Sequence, residues 1–118
     1  MSTPKMTLDE EIAAAVAIVR VGLDRLRDAA TRTDELDTHV RVLRALRDHR
    51  NPEAGVCAAV ADVIGTITVS ITETDHEVID DVVEFLDEAQ AYAQDNTGDR
   101  IDRALALLAP LLASEGNR

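Results

Sequence analysis

Residues 65–72 read GTITVSIT, and the fold depends on whether they form a strand or part of a helix. Polar and apolar residues alternate, as in a half-buried strand. A single strand leaves its backbone groups unpaired, and no second stretch of this chain offers a convincing partner. The same residues also continue a helical pattern. Val56, Val60, Val63, Ile64, Ile67 and Ile71 fall within about 100° of arc at about 100° per residue, with no change of phase. The spacing predicts a helix through Thr72 and an all-α chain. A strand at 66–72 completed by another subunit is the competing reading.

Upstream, Asn51–Pro52 is a helix start signal, because proline tolerates the first helical position and asparagine caps it. The first helix is expected at Thr7, where Glu10 stands at capping-box spacing. Ile12, Val16, Val19, Leu23, Leu26 and Ala30 form its stripe. Ala13–Ala15, Ala17, Ile18 and Val21 extend the apolar surface around the back. A helix coated in this way is central in its bundle or shared with a second chain. The stripe loses phase at TRTDELD (31–37). Either a break there starts a second helix, capped by Thr33 or Asp34 and striped by Leu36, Val40, Leu43 and Leu46, or residues 8–49 form one helix. The break is favoured.

Downstream, Thr74 and Glu77 repeat the capping-box spacing and open a fourth helix to about Gln94. DNTGD (95–99) is expected to break the chain. Asp99 then caps a fifth helix carrying Ile101, Ala104, Leu105, Leu108 and Leu112, which Pro110 bends or shortens. The expected fold is a compact bundle of four to five amphipathic helices with antiparallel neighbours. It forms one domain over 7–114, between disordered tails at 1–6 and 115–118.

Composition narrows the functional classes. The net charge is −11, and residues 51–99 contain no Lys or Arg. This argues against duplex nucleic acid and anionic membranes as partners. With no tryptophan, one tyrosine and one phenylalanine, there is little aromatic surface for stacking bases or flat cofactors. Cys57 is the only cysteine, so no internal disulfide forms. The N-terminus shows no secretory pattern, and the apolar runs are too short to span a bilayer. A cytoplasmic location is expected.

The densest concentration of charge is TETDHEVIDDVVEFLDEAQ (72–90). On a helical wheel, Val78, Ile79, Val82, Phe85, Leu86, Ala89 and Ala93 share one arc, with Val83 and Tyr92 at its edges. Glu77, Asp80, Asp81, Glu84, Asp87 and Glu88 fill the other. Such segregation is that of an amphipathic helix with a solvated face. A divalent-metal site needs carboxylates converging from at least two elements. Its candidates are Asp62, Glu77, Asp81, Glu84 and Glu88, with weak Mg or Mn as the cofactor in that reading and none otherwise. His76 and Asp80 stand at i, i+4 without an evident third ligand, and Cys57 reads as a structural thiol. No catalytic residue is assigned. Arg41, Arg44, Arg47 and Arg50 fan across the second helix, where they can face the acids of the fourth helix or a partner.

These features favour a non-enzymatic interaction, scaffold or regulatory module. It is expected to self-associate, with a dimer favoured, and to present an acidic docking face on residues 73–99. The interaction candidates are Glu77, Asp80, Asp81, Glu84, Asp87, Glu88, Arg41, Arg44 and Arg47, with a basic protein as the other partner. The alternatives are a Mg- or Mn-dependent all-α hydrolase acting on nucleotides or phosphoesters, and an acidic mimic of nucleic acid binding a basic protein.

Overall fold

GTITVSIT is helical. In the computed structural model, which describes residues 5–116, it forms the second half of α3 (Val56–Thr72). The other elements are α1 (Leu8–Thr31), α2 (Leu36–Leu46), α4 (Ile79–Ala91), a wide π-turn (Tyr92–Asn96) and α5 (Thr97–Gly116). The described residues contain no strand, and the chain is all-α. Of the tails expected over 1–6 and 115–118, residues 1–4 and 117–118 lie outside the described residues.

Helix α1 begins as its capping residue dictates, with the Glu10 amide donating to Thr7 Oγ1 at 3.1 Å. A break follows at residues 32–35, where Thr33 Oγ1 accepts from the Glu35 amide, so α1 and α2 are separate helices.

Three expected boundaries are corrected. Helix α3 starts at Val56 and not at Asn51–Pro52, which instead belong to a turn closed by the Ala54 amide on the Asn51 carbonyl. The chain passes so close to the end of α2 that a Cβ on Gly55 would lie 2.5 Å from the Leu46 carbonyl oxygen. Only glycine fits there, and the helix begins beyond it. The capping box of Thr74 and Glu77 does not form. Residues 73–78 are a turn, and His76 Nδ1 accepts from the Val78 amide at 3.2 Å instead of meeting Asp80.

The third correction concerns DNTGD, which does not interrupt the helix. The π-turn carries α4 straight into α5, and its extra residue absorbs the phase change between the two apolar stripes. Gly98 is buried there against Arg47, whose Cζ would stand 3.0 Å from an added Cβ. The glycine makes room for a guanidinium and ends nothing. Pro110 does not shorten α5, which continues to Gly116. Ala106 and Pro110 are exposed, so the carbonyl freed by the missing amide faces water.

Helix α3 packs mainly on α4 and the π-turn, α2 joins α5 and α1, and α1 makes its main tertiary contact with α2. The α3–α4 seam is built from small residues. Ala58, Ala61 and Thr68 are buried and Gly65 is half-buried, with the Gln90 amide 2.7 Å from where a Gly65 Cβ would be. Thr68 Oγ1 donates to the Ile64 carbonyl at 2.8 Å, so its burial leaves no polar atom stranded. The branched stripe expected to form the core points elsewhere: Val60, Val63 and Ile67 are exposed, Val63 by 61%.

Among the described residues, the other buried apolar side chains are Val40 and Leu105. The molecule measures 62 × 45 × 19 Å, and its radius of gyration is 18.9 Å where a compact chain of this length has about 13.5 Å. The single chain is a spread layer of helices, less compact than expected.

Candidate interaction surfaces

The first surface is the acidic side of α4. Asp80, Asp81, Glu84, Asp87 and Glu88 are all exposed, with Glu77 just ahead of them in the turn. Asp80 and Asp81 lie in the first turn, where the helix dipole favours negative charge. Glu84, Asp87 and Glu88 have no such compensation. Ion pairs among the described residues involve none of these carboxylates. The opposite arc of α4, at Ile79, Val82, Val83, Leu86, Gln90 and Ala93, is half-buried. The wet side expected of this helix is exposed, and the dry side is half-buried only in part.

Phe85 departs from that division. Expected in the dry arc, it is 70% exposed, and Tyr92 and Val78 are also open. With the exposed Ala89 they form a row at i, i+7, i+11 and i+14 on one flank of α4. The sequence signal for this row is the shift of these residues toward one edge of the apolar arc. Wheel analysis blends that edge into the core.

The arginines do not meet the acids of α4. Arg41 pairs with Asp37 on its own helix at 3.0 Å, and Arg50 with the adjacent Asp48 at 2.7 Å. Arg44 is half-buried beside His49, Asp102 and Leu105. Arg47 reaches into the π-turn, where Nη1 donates to the Gln94 carbonyl and Nη2 to Asp102 Oδ2, each at 3.4 Å. Nε of Arg47 and Oδ1 of Asp102 are buried without a partner. This pair ties α2 to α5, and is the one cross-helix ion pair among the described residues. Asp48 and Arg50 perturb each other electrostatically. The Arg50 guanidinium, then its backbone amide, hold the Asp48 carboxyl well below the ordinary aspartate range.

The metal candidates are not assembled into one place. Asp62 is exposed on α3 in an open hollow with Gly65, Thr66, Val69, Ser70 and Gln90, which none of the other candidates lines. No three His, Cys, Asp or Glu side chains converge among the described residues. Cys57 is half-buried in α3.

The second surface is apolar. No residue of α1 is buried, so α1 is not the central helix of this chain. Ile12, Val16, Ile18, Val19, Val21 and Leu23 are exposed, Ile18 by 72%. Between α1 and α3 runs a groove of about 390 Å³ with no polar lining, formed by Val19, Gly22, Leu23 and Leu26 on one side and Val56, Ala59, Val60 and Val63 on the other. The branched stripe of α3 thus faces the same gap as the stripe of α1. Among the described residues, no helix is long and apolar enough to cross a membrane. No family model matches the chain, nor does any curated protein or solved structure.

Proposed function

We propose that the protein is a non-enzymatic interaction module. It works as a self-associated bundle with antiparallel neighbouring helices, and it docks a basic protein on the acidic face of residues 73–99. One observation carries the reading. The chain exposes about 9,200 Å² where a folded monomer of its 12.8 kDa shows about 6,300 Å². The excess, to which the chain ends contribute a part, coincides with aliphatic faces on α1 and α3 that water disfavours. The turn at residues 73–78 between two packed helices supports an antiparallel α3 and α4.

Docking of a basic partner is supported by the unpaired carboxylates of α4. Repulsion among Asp81, Glu84 and Glu88, three and four residues apart on α4, is relieved when a cationic surface covers them. Nucleic-acid mimicry is a narrower form of the same docking.

The test is binding of a lysine-rich peptide, followed by titration calorimetry at two salt concentrations. Affinity is expected to fall as salt rises, and Glu84→Lys with Glu88→Lys to abolish binding while the helical signal stays unchanged. Binding that ignores salt, or that survives both charge reversals, would refute docking on this face.

A further inference from the structure

The apolar groove names its own occupant. We propose that α1 pairs with α1 of a second copy, antiparallel about a two-fold axis near residue 21, each α1 lying in the groove between the other copy's α1 and α3. This inference rests on the self-association proposed above and specifies how the copies meet.

Three observations on α1 support it. First, Ile12, Val16, Val19, Leu23, Leu26 and Ala30 recur at alternating steps of four and three, the seam of a two-helix coil. Most of that seam is exposed, and it borders the groove through Val19, Leu23 and Leu26. Second, Ala15, Gly22 and Ala29 repeat every seven residues along one edge of the seam. Among the described residues, nothing beyond its own turn of helix lies within 4 Å of a Cβ placed on Gly22. The fold of one chain therefore gives no reason for a glycine in mid-helix, whereas a second backbone approaching closely does.

Third, the charge on α1 is arranged to complement itself. Residues 5–17 carry Lys5 against Asp9, Glu10 and Glu11. Residues 18–32 carry Arg20, Arg25, Arg27 and Arg32 against Asp24 and Asp28. An antiparallel pair sets each negative half on the other's positive half, and a parallel pair stacks like on like. A two-fold contact uses the same patch twice, which this polarity satisfies without any other molecule.

The area agrees in size. Permanent dimers bury roughly 2,000–5,000 Å² in total, or about 1,000–2,500 Å² from each copy. The excess surface of this chain, about 2,900 Å², is of that order. Aligning the seam about residue 21 pairs Ile12 with Ala30, Val16 with Leu26 and Val19 with Leu23, and places Gly22 beside the axis.

The experiment is pulsed electron paramagnetic resonance on full-length protein with Cys57→Ala and a spin label at Glu10→Cys or at Asp24→Cys. Both positions are exposed, stand on the outer side of the seam and occupy the same place in the seven-residue repeat. At about 1.5 Å rise per residue, the two labels are offset along the axis by about 33 Å at position 10 and about 9 Å at position 24. The interlabel distance at position 10 is expected to exceed that at position 24 by roughly 10 Å or more. Equal distances in a sample of dimer mass would overturn antiparallel α1 pairing while leaving self-association standing. Absence of any dipolar coupling at monomer mass would overturn both.

Discussion

Replacing Gly22 by alanine separates what α1 requires alone from what a second copy requires of it. In the single chain an alanine Cβ at this position meets nothing within 4 Å beyond its own turn of helix, so the substitution introduces no clash. Alanine is favoured over glycine in a helix interior by about 1 kcal/mol, and for a domain of this size that raises the melting temperature by roughly 4 °C. That gain accrues equally to free and paired chains and drops out of the association equilibrium. In the paired state two added methyl groups sit near the axis. Overpacking of a tight contact costs about 1–3 kcal/mol. A total of about 2 kcal/mol for the pair raises the dissociation constant roughly thirtyfold. Sedimentation equilibrium over a range of concentrations reads that constant, and thermal melts at low and high concentration read the two terms separately. Gly22→Ala is expected to melt higher than the parent where both are dissociated, and to lose that advantage where the parent is dimeric. A variant that melts higher at every concentration, with association unchanged, would refute close backbone approach at Gly22.

Three further outcomes follow from the single-chain geometry. Arg47→Ala strands the Asp102 carboxylate, which is only 23% exposed, and removes the donor to the Gln94 carbonyl. A loss of about 2 kcal/mol in chemical denaturation is expected, and Arg47→Lys should not restore it, because an ammonium does not reproduce the fork. Thr7→Ala removes the acceptor for the Glu10 amide and should cost about 1 kcal/mol, read as earlier amide exchange in the first turn of α1. Carbon-detected titration should show Asp48 still ionised well below the ordinary aspartate range, and Arg50→Ala should move its midpoint upward. The lowered folded value means that this pairing contributes stability above the unfolded-state pKa and loses it as pH falls through the folded one. Coincident titration of Asp48 in parent and variant would contradict the pairing.

Much of the architecture is legible in the sequence where a single pattern runs unbroken. The helix over 65–72 follows from a stripe that keeps its phase through a strand-like alternation, and Thr7 marks the start of α1. The wet and dry sides of α4 follow from the spacing of its acids. The face that α3 buries is less legible. Helical wheels weight a residue by its hydrophobicity and so favour Val60, Val63 and Ile67. Two helices approach most closely through small residues, and the seam is formed by Ala58, Ala61, Gly65 and Thr68. DNTGD misleads for a related reason. Glycine and asparagine are read as turn formers, but here Gly98 accommodates a guanidinium from a residue far away in sequence. Contacts over such separations leave no local trace. The arginine fan shows the same limit, since spacing reveals four candidate cations without revealing that only Arg47 forms an ion pair with another helix.

Sedimentation equilibrium of the unmodified protein at high concentration and moderate salt tests the central claim most directly. Burial of the aliphatic faces of α1 and α3 by another copy predicts a mass of twice the 12.8 kDa chain. A single species at 12.8 kDa would contradict it.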